Sequence, residues 1–247
     1  MVLDLWKASS QTMFSPSGIL SSIAKILRRP LRNQGLVLLS EGSYLRFAIP
    51  ITYFIPRRFD GILGLGFDTI SVNHIVPPFY NMLNQSLLQS PVFSFRIGQS
   101  SEDAGEAVFG GIDHDAYLGV LHWVPVRRKA YWEVELEKVT LGNEDLELED
   151  TGAAIDTGTS LIVVPPIVAE MIHIQIGAEK NGLTGQYTVD CSRVPDLPSF
   201  SLWFGGKKFE LKGTEYVLDA GGICLSAFMG MELGMPGLWI IGKWLVN

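Results

Sequence analysis

The 247-residue chain is 47% hydrophobic and 18% charged, which excludes an intrinsically disordered polypeptide and is enough for one large domain or two lobes with real cores. Its net charge of −7 is uneven: residues 1–58 carry +6 and residues 59–247 carry −13, and the acidic part suits work at low pH, where carboxylates partly neutralise. The basic residues of the first segment are dispersed without interleaved aromatics, which argues against a nucleic-acid partner, and no apolar run reaches the roughly 18 residues needed to cross a bilayer.

In chain order, residues 1–58 have weak periodicity. "SGILSSIAKILRR" at 17–29 could form a short amphipathic helix capped by Ser17, whereas "GSYLRFAIPITYFIP" at 42–56 alternates poorly and holds two prolines. The start of the chain lacks the basic, apolar and small-residue pattern of a signal peptide. This segment is expected to be poorly ordered.

From Phe59 the character changes. "FDGILGLGF" reads as a strand entering a tight turn, "VPPFYNMLNQSLL" at 76–88 as a helix, and "PVFSFRIG" and "GEAVFGGID" as strands around a loop. "YWEVELEKVTLG" at 131–142 predicts one half-solvated strand, with Trp132, Val134 and Leu136 inward and Glu133, Glu135 and Glu137 outward. "GAAIDTGTSLIVVPP" predicts strand, turn and strand. A helix over 165–177 follows, opened by proline and ended by Gly177, and then more short strands with glycine turns. Many short strands and few helices make the fold class all-β, with sandwich-like or barrel-like lobes.

The loop "IDTGTS" at 155–160 carries the chemistry. A lone Asp attacks peptides poorly, but two carboxylates sharing one proton can divide the work: one takes a proton from water while the other protonates the carbonyl oxygen. Their pKa values split because like charges held close cannot both ionise, as the aspartic-protease dyad illustrates. Gly158 has no Cβ and admits close backbone; the hydroxyls of Thr157 and Thr159 can lock the turn and orient the Asp156 carboxylate. The plain structural alternative is an Asx turn in a β protein. A phosphorylated aspartate is disfavoured, because such sites typically have Lys where Thr157 stands.

Other features carry less. "NQS" at 84–86 is an N-glycosylation acceptor sequence, but its place on an amphipathic helix favours an unmodified Asn84. His74, His114, His122 and His173 lack metal-ligand spacing, with His173 read as structural. No phosphate loop or zinc pattern is present, so no cofactor or metal is expected. Cys191 and Cys224, 33 positions apart, could be two buried thiols or one disulfide in an oxidising compartment, and spacing alone does not choose.

Residues 59–242 resemble the pepsin-like aspartic proteases, and most closely the branch of fungal vacuolar proteinase A and cathepsin D. "FDGILGLGFDTISVNHIVPPFYNML", "RRKAYWEVELEKVTLG", "AIDTGTSL", "GQYTVDC" and "FMGMELGMPGLWIIG" follow one another in family order. The resemblance implies a bilobal β fold with an Asp-Thr-Gly loop in each lobe, packed against an apolar-apolar-Gly strand. Gly64, after Ile62 and Leu63, matches that strand in the first lobe, and Gly242, after Ile240 and Ile241, in the second. Asp156 matches the second-lobe catalytic aspartate. Phe59 and Ile62 match the primary side-chain pocket, Thr159, Met231 and Ile240 the second-lobe cleft, and Tyr131 the leaving-group side. Cys191 and Cys224 match a second-lobe disulfide. The family also implies a peptide or protein substrate and a vacuolar, lysosomal or secreted setting.

The pattern breaks in two places. No Asp-Thr-Gly and no flap tyrosine occurs before Phe59; Asp4 is the only aspartate there and is followed by Leu5-Trp6. Asp219 in "VLDAGG" matches a hairpin turn. Lys243 replaces the aspartate expected after Gly242. The expected organisation is therefore an unmatched basic segment at 1–58, a first-lobe and inter-lobe remnant at 59–130, and a second lobe at 131–247 lacking its last strands. The leading expectation is an aspartic endopeptidase by descent, inactive as this chain alone and completed, if at all, by another chain or a second copy. The rivals are a non-catalytic peptide-binding fragment and a non-functional product of a faulty gene model.

Overall fold

The computed structural model describes residues 63–97, 106–182 and 185–242, with the backbone of two short paired strands upstream, β1 (Val37–Leu38) and β2 (Leu45–Arg46). The helix expected over 17–29, and Asp4, Phe59 and Ile62, lie outside the described residues.

Helix α1 (Pro78–Asn84) comes next, followed by β3 (Phe93–Arg96), β4 (Glu106–Phe109), β5 (Val126–Lys129), β6 (Trp132–Glu135), β7 (Lys138–Leu141), β8 (Glu144–Leu146), β9 (Gly152–Ile155) and β10 (Ile162–Val164). Helix α2 (Pro166–Ile176) leads to β11 (Glu179–Lys180), β12 (Tyr187–Val189), β13 (Phe200–Phe204) and β14 (Lys207–Leu211). A single turn, α3 (Gly213–Tyr216), precedes β15 (Val217–Asp219), β16 (Cys224–Ser226), β17 (Phe228–Gly230) and β18 (Leu238–Ile241). The strands form a six-stranded sheet in the order β17-β10-β18-β9-β6-β5, two four-stranded sheets, β11-β12-β16-β15 and β14-β13-β7-β8, and the hairpin β3-β4.

Local chemistry explains the element ends. Pro166 opens α2 at a position whose N–H would have no helical partner, and Gly177 closes it in the left-handed region at φ 68°. Gly205 and Gly206, both at positive φ, make the two-residue turn that pairs Phe204 with Lys207. Asp219 accepts the Gly222 N–H at 2.7 Å within the β15–β16 hairpin, so it serves a turn.

The stretch expected as one strand over 131–142 is two strands in two sheets. β6 pairs with β9 and β5, and β7 pairs with β13 and β8. At the corner, Leu136 N–H donates to Thr151 O and Glu137 N–H to Trp203 O, so the chain changes sheets without losing backbone hydrogen bonds. Glu133, expected on a solvated face, has no exposed surface. Its carboxylate takes a bidentate pair from Arg128 (2.8 and 2.7 Å), with Arg127 Nε at 4.0 Å. It also fills the space a side chain on Gly152 would occupy. A buried carboxylate persists only when paired in this way.

Two apolar clusters form among the described residues. The smaller centres on Leu65, Phe79 and Met82, with Phe93, Phe95 and Phe109 packed against it. The larger takes in β7, β13, the inner faces of α2 and the six-stranded sheet, and Tyr216, Phe228 and Trp239. Trp132 lies beside the smaller one: its ring is 5.2 Å from Phe67 and 5.3 Å from Phe93, and its Nε1–H donates to Leu65 O at 3.0 Å. On α2, Ala169, Ile172, His173 and Ile176 face inward. His173 stacks on Tyr187 with ring centroids 3.6 Å apart and meets Ser226 Oγ at 3.0 Å. Burial pushes its pKa down to about 4.

Cys191 and Cys224 form a disulfide with Cα atoms 5.3 Å apart, tying the turn at Cys191–Asp196 to β16. Closing a loop of 33 residues removes enough unfolded-chain entropy that Cys191→Ser with Cys224→Ser is expected to lower unfolding free energy by roughly 3 kcal/mol. Urea titration of the oxidised protein against the double variant measures the difference.

Candidate active site

Asp156 sits where β9 ends. β18 runs parallel to β9 (Ile241 beside Ile155) and antiparallel to β10 (Ile241 beside Ile162), so it lies between the two arms of the strand–loop–strand that carries Asp156. Asp156 N–H donates to Ile241 O at 2.9 Å, and Gly242 N–H to Leu161 O at 3.2 Å. A Cβ on Gly242 would collide with the carbonyl oxygens of Thr159 and Leu161. Glycine is required there because the loop's backbone already fills the space.

The carboxylate is 3% exposed. Oδ1 accepts the Gly158 N–H at 2.9 Å and Oδ2 accepts the Thr159 hydroxyl at 2.6 Å. Burial raises the Asp156 pKa above the usual carboxylate value, and the bonds from Thr159 and Gly158 hold it back. The Thr159 hydroxyl is thus one of the two donors that hold the carboxylate in place. The Thr157 Oγ1 is buried and makes no hydrogen bond among the described residues.

Alternation places the other candidates. Val134, Ala153, Trp239, Ile241 and Phe228 belong to the larger core, so their sheet neighbours Ala154, Val163, Ile240 and Glu133 point to the opposite face. Asp156 and Ile240 share that face by the same parity. Tyr131, half-buried in the β5–β6 turn, comes level with Asp156 when the Glu133–Ala154 register is continued. Met231, 45% exposed, lies just beyond β17 with its N–H on Val164 O. It is at the other end of β10 from Asp156, several residue steps back along the sheet. Gly64, the counterpart of Gly242 in the sequence pattern, has nothing within 4 Å of where its Cβ would be. Sequence reasoning missed Glu133, whose buried ion pair closes the same face; the adjacent "RR" at 127–128 was the available signal.

A sheet whose glycine-ended strand is threaded between the arms of an Asp-Thr-Gly loop defines the aspartic peptidase class. The chain belongs to the eukaryotic aspartyl protease family, whose family model matches residues 47–247. It is 50% identical over 181 residues to vacuolar protease A of Aspergillus fumigatus, a match taking in 72% of this chain and 45% of that protein. It is 51% identical over 182 residues to the vacuolar aspartic protease of Candida albicans (72% and 43%) and 41% identical over 203 residues to cathepsin D of Mus musculus (78% and 49%). The chain thus spans about half the length of the curated relatives it matches.

Two measurements probe this geometry. The folded state holds the Asp156 proton more tightly than the unfolded chain, so the ionised group lowers stability at neutral pH, and the loss is recovered as pH falls through the raised pKa. Asp156→Asn is therefore expected to raise Tm at pH 7, each 1 kcal/mol gained giving roughly 2–4 °C, with the gain shrinking towards pH 4. Gly242→Ala is expected to cost about 3 kcal/mol, while Gly64→Ala stays within about 0.5 kcal/mol in this chain, as read by chemical denaturation.

Proposed function

We propose that Asp156 is one of two carboxylates in the acid-pH hydrolysis of peptide bonds, making the protein an aspartic endopeptidase by descent. The observation that carries this reading is the Asp156 carboxylate itself, nearly buried and gripped on both oxygens by Gly158 and Thr159. Burial favours the protonated state, which a shared-proton site uses. In the reaction, one carboxylate takes a proton from water, the water oxygen attacks the carbonyl carbon, and the other carboxylic acid gives its proton to the carbonyl oxygen.

Ile240, Met231 and Tyr131 line the same face on this reading, which favours apolar residues beside the scissile bond. Phe59 and Ile62 contribute to the pocket on the sequence pattern alone. The disulfide and the names of the vacuolar relatives support work in an acidic, oxidising compartment.

Asp-Thr-Gly occurs twice in the 247 residues, at 150–152 and 156–158, but the Asp150 side chain is 91% exposed and paired with Arg127, so only the second copy forms a buried site. The second carboxylate then comes from another polypeptide segment, and this chain alone is inactive. The test is hydrolysis of a denatured protein at about pH 4, where one shared proton is favoured. The chain alone should show no cleavage. The chain joined to a segment bearing a second Asp-Thr-Gly loop should cleave, and Asp156→Asn in that assembly should lower kcat by about 10²–10⁴-fold. An active assembly indifferent to Asp156→Asn overturns the assignment. Cleavage by the chain alone, lost in Asp156→Asn, overturns the claim of inactivity and places the second carboxylate within these residues or in a second copy.

A further inference from the structure

The acceptor triplet Asn84-Gln85-Ser86 has a setting in the structure that the sequence pattern argued against. Helix α1 buries Phe79 and Met82 in the smaller apolar cluster. Asn84 lies two residues beyond Met82, about 200° round the helix, and so points away from that cluster. It is also the last residue of α1: Gln85 is the C-cap, and Ser86 turns the chain in the left-handed region at φ 56°. The turn is closed by backbone alone, with Ser86 N–H on Leu83 O (2.9 Å) and Leu87 N–H on Met82 O (3.0 Å). Asn84, Gln85, Ser86 and Leu87 are four consecutive exposed residues.

We propose that Asn84 is an N-glycosylation site. Three independent observations converge on it. The triplet has the acceptor form Asn-X-Ser with X not proline, and it is the single such triplet in the 247 residues. Its side chains stand clear of the core, so a bulky hydrophilic group can be carried there without unpacking Phe79 or Met82. The Cys191–Cys224 disulfide shows that the chain suits an oxidising lumen, the setting in which this modification is made. The co-reactant is a lipid-pyrophosphate-linked oligosaccharide. The Asn84 amide nitrogen forms a bond to the anomeric carbon, the anomeric carbon–oxygen bond to pyrophosphate breaks, and the amide gives up one proton. The glycan then covers Leu87, an exposed apolar side chain directly after the triplet.

The inference does not depend on the role given to Asp156. The test expresses the full chain behind a secretory leader in a eukaryotic host and scores only the disulfide-bonded product, which has by definition reached the lumen. Expected is a mass step removed by peptide-N-glycosidase, with peptide mapping then reading residue 84 as Asp. Asn84→Gln should lose the step, Ser86→Ala should lose it while keeping the asparagine, and Ser86→Thr should keep it. Disulfide-bonded chain with an unmodified Asn84 overturns the proposal, as does a mass step that survives Asn84→Gln.

Discussion

The passage of β18 between β9 and β10 is the constraint on which the rest of the site depends. β9 and β10 are consecutive in sequence and yet do not pair with each other; each pairs with β18. The loop from 156 to 161 must therefore arch over the end of β18, and only a residue without a side chain fits beneath the arch. Gly242 meets that requirement. All four residues of β18 are buried, so the strand is held by apolar contact as well as by its two ladders. The burial of Asp156 follows from this arrangement: a carboxylate at the foot of such an arch is taken out of water by neighbouring backbone, and its two remaining donors come from the arch itself.

Two buried titratable groups give the fold opposing responses to acid. Asp156 has a raised pKa, so its ionised form is disfavoured by folding and the strain eases as pH falls. His173 is depressed to about 4 from 6.5, so the folded state binds its proton less readily than the unfolded chain. The stability His173 supplies is intact above about 6.5 and is lost as pH falls towards 4. Among the described residues its ring meets Ser226 and stacks on Tyr187, whose ring has Lys180 Nζ 5.7 Å from its centroid.

Much of this was legible in the sequence where one period or one turn residue decided the outcome. The strand–turn–strand around Asp156, helix α2 with its prolines and Gly177, and the short glycine-turned strands all follow from local chemistry. The split of residues 131–142 leaves only a parity shift in the sequence, from Val134 and Leu136 to Val139 and Leu141, and it is the partners, β9 and β13, that pull the halves into different sheets. Glu133 reads as a solvent residue until Arg128 is brought beside it by the β5–β6 register. The end of α1 is a related case: the apolar pattern runs on to Leu88, but the helix stops at Asn84 and a backbone-closed turn leaves residues 84–87 exposed. The Thr157 hydroxyl lies buried with no hydrogen bond among the described residues.

The same strand order governs how the chain can be made. β10 emerges some seventy residues before β18, yet the two must pair, and β9 waits still longer, some eighty residues, for its parallel neighbour. At a synthesis rate of about 5–20 residues per second, β9, β10 and the loop between them stand open for roughly 4–15 s before their shared partner exists. The contacts that enclose Asp156 have high sequence separation, so this lobe belongs to the slow-folding, non-local topologies. The nascent chain is therefore most exposed to mispairing and to chaperone capture along Ile162–Val164, an all-apolar strand held in waiting for the last strand of its sheet.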